Sequence, residues 1–287
     1  MPKERFHLYL ADELLSRCAG SLPPYEIHSP PARSRSAAFF IGAVSPDIFF
    51  YDLPSFSLSS LGNALHDLMD REGISIISDW IAQTCSPLKT AHESTVLWGL
   101  GFACHFLVDA LWHPVINELS GSRLVRDYIG VTKLSVIECH RLLESELEAL
   151  WLARSRAPER YDELLENFKR DRGLLLDVAS CYRRFLEFTG LSAGVSERRI
   201  VKCCLWQNFL LRLFASRMLG SRRDLLLSLP PTRSLGALVT PVRPVLPALF
   251  SHALPEDRNP FSDYFMEQAL TSSEARLCKL AKRLSTN

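Results

Sequence analysis

Residues Gly99–Pro114 read Gly-Leu-Gly-Phe-Ala-Cys-His-Phe-Leu-Val-Asp-Ala-Leu-Trp-His-Pro, an apolar stretch interrupted at fixed intervals by His105, Asp109 and His113. On an α-helix these three stand at i, i+4 and i+8 and line one narrow stripe, while the other faces are almost wholly apolar. Such a helix must be buried on most of its surface. Ionisable groups set among Phe106, Leu107, Val108 and Leu111 are costly to bury unless a metal or a polar partner compensates them. With a rise of about 1.5 Å per residue, the histidines sit ~12 Å apart along the axis and the carboxylate ~6 Å from each. That is too far for one ion to engage all three, but it suits a carboxylate that bridges two ions with one histidine on each. By composition, a His-x3-Asp-x3-His triple arises in roughly one such chain in forty, whereas a single His-x3-Asp/Glu pair is expected about once.

A second pair, His140 and Glu144, again stands one helical turn apart, and such a pair can chelate zinc if other helices supply the remaining ligands. Apolar residues at three- and four-residue intervals dominate the chain and period-two alternation is scarce, which predicts an all-α fold. Helices are expected at about 3–18, 36–44, 60–70, 73–84, 92–112, 122–155, 157–189, 196–226 and 263–284. Ser94-Thr95 and Ser196 read as helix starts, and Pro46, Pro87 and Pro114 as stops. Residues 19–35, with Gly20 and four prolines, read as a loop. Seven of the 17 prolines fall in 228–262, which argues against a packed helix there and for an extended segment laid over the helical core. The expected division is a metal-binding catalytic core over 1–158 and a helical C-terminal extension over 159–287. Within the extension, Trp206, Phe209, Leu210, Leu213 and Phe214 read as core or as a dimer face.

Charge narrows the function. The 287 residues carry 33 Lys and Arg against 32 Asp and Glu, so there is no positive excess for a nucleic-acid backbone, and no nucleic-acid-binding patch is evident. Acidic residues break the start of the chain where a signal peptide would need an apolar core, and no apolar run approaches the ~20 residues of a membrane span. Eight scattered cysteines without a CxxC read as free buried thiols. A cytoplasmic protein with at most peripheral membrane contact is the expectation. The oligomeric state is left open.

Taken with Phe6-His7, the segment Phe40-Ile41-Gly42-Ala43-Val44-Ser45-Pro46-Asp47, and His66-Asp67, these features in this order resemble the zinc-dependent phospholipase C family, related to the P1 and S1 type nucleases. The resemblance covers about the first half of the chain. It implies an all-α zinc-dependent phosphoric diester hydrolase, with a phospholipid or another phosphodiester as substrate. By carry-over, Asp47, His66, His105 and Asp109 would hold one zinc ion and His113, His140 and Glu144 a second. A third would share Asp109 and take His7. In the family the third ion is completed by the amino group and carbonyl of the first mature residue, a part that Met1 or Pro2 would have to play here. Zinc would offset the phosphodiester's charge and lower the pKa of water towards ~7, with Asp47 as the candidate general base.

Two other readings stay open from the residues alone. A phosphohydrolase of the HD type would use the adjacent pair His66-Asp67, making Asp67 essential and His140 and Glu144 dispensable. A helical interaction protein would use metal, or a buried polar cluster, only to join helices. His28, His92 and His252 receive no role.

Overall fold

The computed structural model describes residues 4–18, 32–84, 93–122, 125, 134–155, 166, 170–192, 194–229, 233–241, 244, 246–247, 250 and 254–286. Among the described residues all regular structure is helical, as expected. The elements are α1 (Glu4–Arg17), α2 (Ala32–Val44), a 3-10 segment (Ser45–Tyr51), α3 (Ser59–Glu72), α4 (Ser75–Thr84), α5 (Glu93–Gly121), α6 (Val136–Arg154), α7 (Arg172–Phe188) and α8 (Glu197–Phe214). The short α9 (Arg217–Gly220), α10 (Arg223–Ser228) and α11 (Arg233–Leu238), a 3-10 turn (Glu256–Arg258) and α12 (Asp263–Thr286) complete the chain.

The apolar helix α5 lies at the centre, packed on α1, α2, α4, α6, α7 and α12. Its longest contact is with α2, and two glycines make that contact possible. A Cβ on Gly101 would sit 1.9 Å from the carbonyl oxygen of Phe39, and one on Gly42 would sit 2.2 Å from that of Trp98. Only glycine lets two helix backbones approach so closely. Beside this contact, Trp80, Trp98, Phe102, Tyr182 and Phe185 form an aromatic cluster, with ring centroids 4.8–5.5 Å apart for the pairs Trp98–Phe102, Phe102–Phe185, Trp98–Tyr182 and Trp80–Trp98. One buried apolar cluster runs from Phe6 in α1 to Ala281 in α12.

The span Ser94–Gly121, 28 residues, is long and apolar enough to cross a membrane by length and composition, which corrects the expectation that no run reaches that size. Here 83% of its apolar window is buried inside the protein.

Several expected boundaries move. Pro114 does not stop α5, which continues to Gly121. Proline deprives the carbonyl four residues earlier of its donor, but Ala110 and Pro114 are both exposed, so the unpaired carbonyl faces water. The helix expected over 122–155 begins instead at Val136, where Ser135 and Glu138 form a reciprocal capping box. The helix over 157–189 is interrupted at Asp171, whose side chain caps the amide of Leu174. The helix over 196–226 breaks into α8, α9 and α10, with Ser216 capping α9. Ala32–Val44 is helical, four residues earlier than expected, and 228–262 holds α11 and a 3-10 turn. Within that proline-rich stretch Val239, Leu246 and Phe250 are buried against the core. In α8, Leu211 and Phe214 are buried and Phe209 is exposed. Cys18, Cys104, Cys139, Cys181, Cys203, Cys204 and Cys278 are free thiols, although Cys204 and Cys278 are only half-buried. Residues 19–31, Cys85, Pro87, His28, His92 and His252 lie outside the described residues.

Candidate metal centre

The stripe on α5 runs from core to surface. His105 is 1% exposed and Asp109 8%, while the side chain of His113 reaches 37%. The close contact of α2 with α5 brings the carbonyl of Ala43 to 2.9 Å from Nδ1 of His105. A carbonyl can only accept, so Nδ1 carries a proton and Nε2, the nitrogen whose lone pair a metal would use, faces the site. His66 is held in the same way by the carbonyl of Gly62, one turn back on α3, at 2.9 Å. The 3-10 segment after α2 carries Asp47, and it is fixed to α5 by the indole of Trp98 donating to Oγ of Ser45 at 3.1 Å.

All eight residues singled out in the sequence come together, from four helices and the 3-10 segment. Donor atoms within 4.8 Å of one another define three groups: His7, His105 and Asp109; Asp47, His66 and His105; His113, His140 and Glu144. Asp109 joins them. Its Oδ1 lies 3.3 Å from Nε2 of His7 and 3.4 Å from Nε2 of His113, and its Oδ2 lies 3.1 Å from Nε2 of His105 and 3.9 Å from Nε2 of His66. Asp47 places Oδ1 3.3 Å from His66 and Oδ2 4.0 Å from His105. Glu144 Oε1 is 3.0 Å from Nε2 of His140 and 3.8 Å from that of His113. The rings of His7 and His105 stack at 4.0 Å. The grouping differs in two respects from the implied one: His105 belongs to both the His7 group and the Asp47 group, and Asp109 belongs to the His7 group and not to the Asp47 group.

These residues fit zinc. Two ligand atoms at ~2.1 Å from a tetrahedral ion lie about 3.4 Å apart, in the middle of the separations seen here. Nε2 of His105 is buried and close to Asp109, yet among the described residues it makes no aligned hydrogen bond, and Nδ1 of buried His7 finds no hydrogen-bond partner among them. Imidazole and carboxylate are the donors zinc takes besides thiolate.

Electrostatics keeps the carboxylates charged. Burial opposes ionisation of Asp109, but His113, His105 and His7 outweigh it and hold its pKa well below the usual range. Asp47 is likewise held low, against burial, by His105 and His66. Burial opposes ionisation of Glu144 too, yet its pKa is lowered to about 2, with His140 and His113 contributing. Conversely, burial disfavours a charged His105, but Asp109 and Asp47 raise it to about 9, and Asp47 raises His66. Burial and the neighbouring His105 lower His7.

The groups open into a cleft of about 590 Å³, whose wall also contains Phe50, Asn63, Asn117, Ser120, Val136, Ile137 and Arg141. Sequence reasoning missed these. Asn117 was the most accessible of them, because it continues the i+4 stripe of His105, Asp109 and His113 by one more turn, beyond a proline read as a stop. A buried support beneath the site was missed too. Glu4, at the start of α1, accepts from Tyr51 at 2.5 Å and from Gln207 at 3.3 Å, and Gln207 also donates to the carbonyl of Val44 at 2.8 Å. Burial, reinforced by Asp47, raises Glu4 to about 7. Asp67 is exposed and belongs to none of the three groups, so the adjacent His66-Asp67 pair diverges on α3.

A family model described as zinc dependent phospholipase C matches residues 6–187. Searches of curated proteins and of solved structures return no match.

Proposed function

The chain belongs to the zinc-dependent phospholipase C family, and from that premise we propose that its cleft hydrolyses a phosphodiester, in the first instance the head-group bond of a phospholipid. The observation that carries this reading is Asp109, a buried carboxylate whose two oxygens face histidines of different groups at 3.1–3.9 Å. We assign His7, Asp47, His66, His105, Asp109, His113, His140 and Glu144 as ligands of two zinc ions, with a third at His7. Bound zinc would supply the Lewis-acid charge that offsets a phosphodiester's negative charge and acidifies water.

The chain's own residues do the rest. The carbonyls of Ala43 and Gly62 fix the tautomer of His105 and His66. Asp47, lining the cleft, accepts from water; with its pKa held low it orients that water as a hydrogen-bond acceptor more than it acts as a strong base. The open cleft and the partly exposed His113 favour a catalytic site over a closed structural one. Val136 and Ile137, 49% and 63% exposed on the cleft wall, support contact with a lipid surface. Residues 1–158 in this reading carry the ligands and 159–287 support them, as Gln207 does through Glu4 and Val44.

The test is metal content together with turnover. Zinc-loaded protein should release p-nitrophenol from bis-p-nitrophenyl phosphate and a phosphorylated head group from a phospholipid. Chelation should abolish both and added zinc restore them. A zinc-replete protein inactive on every diester would leave only the structural role for the metal.

A further inference from the structure

The described wall of the cleft contains three carboxylates, Asp47, Asp109 and Glu144, and each one faces histidines of the candidate metal groups. None is left to meet a cationic group on a substrate. Nor do the described residues form an aromatic cage, which is the other means of holding a quaternary ammonium. Phe50 is the one aromatic side chain there besides the histidines, and its ring lies against His66 at 5.8 Å.

Arg141 stands in the opposite situation. It follows His140 on α6, it is half-buried in the cleft wall, and its guanidinium makes no ion pair among the described residues. The acids one turn away are engaged elsewhere. Glu138 accepts from Ser135 and Ser234, and Glu144 faces His140 and His113. A guanidinium offers five donors in a planar fork and cannot be deprotonated, so in a cleft it calls for oxygen acceptors.

Resting on the phosphodiesterase reading above, we infer that Arg141 determines specificity in a head-group subsite, selecting anionic phospholipids whose head group carries hydroxyl, carboxylate or phosphate acceptors and no quaternary ammonium. A choline head group would put its fixed positive charge beside a guanidinium that no described carboxylate compensates. A glycerol or inositol head group would instead accept from it. A hydrogen bond with one charged partner accounts for a preference on the order of 10- to 100-fold.

The experiment compares kcat/KM of the zinc-loaded protein for dihexanoyl phosphatidylglycerol and dihexanoyl phosphatidylcholine. Both are used as monomers, so that attraction of the protein to a charged bilayer does not enter. The wild-type ratio should be about 10 or more. It should fall towards one in Arg141→Gln, survive in part in Arg141→Lys, and invert in Arg141→Glu, with zinc content measured on each variant to show that the neighbouring His140 still binds. A wild-type ratio of one or below overturns the inference, as does an unchanged ratio in Arg141→Gln. If the zinc-loaded wild type cleaves no diester at all, the hydrolase reading fails by itself. Calorimetric binding of the same two monomeric lipids to wild type and Arg141→Gln then decides the role of Arg141 by the same ratio.

Discussion

Replacing Gly101 by alanine sets two physical effects of opposite sign against each other. By helix propensity, Gly→Ala within α5 should stabilise by about 1 kcal/mol. The structure predicts the reverse. The new Cβ would lie 1.9 Å from the carbonyl oxygen of Phe39 and 2.8 Å from its carbon, both of them backbone atoms that no rotamer change can move. Reaching even 3.0 Å from that oxygen requires α2 and α5 to separate by 3.0 − 1.9 = 1.1 Å. The same movement stretches the contact between Ala43 and Nδ1 of His105, one turn further on, from 2.9 Å to about 4 Å, beyond hydrogen-bond range. Overpacking costs about 1–3 kcal/mol and the lost buried hydrogen bond about 1–3 kcal/mol. After the propensity gain, a net loss of about 1–5 kcal/mol remains, or roughly 2–8 °C in Tm for a chain of this size. Because the carbonyl orients a ligand, zinc affinity should fall about 10- to 100-fold as well. Thermal unfolding of zinc-free protein and titration against a chromogenic chelator measure the two effects. Gly173→Ala is the control, since its Cβ would meet only Asp171 at 3.5 Å and should be neutral or mildly stabilising. A Gly101→Ala protein as stable as wild type, with unchanged zinc affinity, would refute the claim that this backbone contact sets the metal site.

Three further outcomes are expected. Asp109→Asn removes the charge that faces four histidines, so it should lower zinc content and reduce diester hydrolysis by about 10²-fold or more; unchanged metal content by mass spectrometry would contradict the bridging role. In zinc-free protein the pKa of His105 is raised to about 9, so the folded state holds a proton that the unfolded chain gives up above ~6.5. This stabilisation is complete below ~6.5 and lost as pH rises towards 9; the raised pKa of Glu4, about 7, works in the same direction from ~4.5 upward. Urea unfolding of the chelated protein should therefore give lower stability at pH 9 than at pH 6, and a rise would count against the assignment. Gln207→Ala leaves the carbonyl of Val44 and Glu4 short of a donor and should cost about 1–3 kcal/mol. It should also weaken zinc binding at the Asp47 and His7 end more than at His140, which competition titrations with single-site variants can resolve.

The all-α fold was legible because helical periodicity dominates from α1 to α12, and the stripe on α5 was legible because i+4 spacing survives whatever surrounds the helix. Breaks were harder to read. The apolar pattern runs on past Ser135, Asp171 and Ser216, and only their side-chain caps on the following amides show that new helices begin. Pro114 misled in the other direction, because a local rule about proline takes no account of whether the orphaned carbonyl can reach water.

The sequence by itself determined that one buried helix carries two histidines and a carboxylate spaced to serve more than one ion, and the ordered set of residues around it identified the family. Tertiary structure alone decided how His7, Asp47, His66, His140 and Glu144 reach that stripe, and that Arg141 faces the same cleft without a counter-charge among the described residues. Spacing along a chain reports only which side chains share a helix face. Convergence depends on how closely helices approach, and here that distance is set by Gly42 and Gly101, residues with no chemistry of their own.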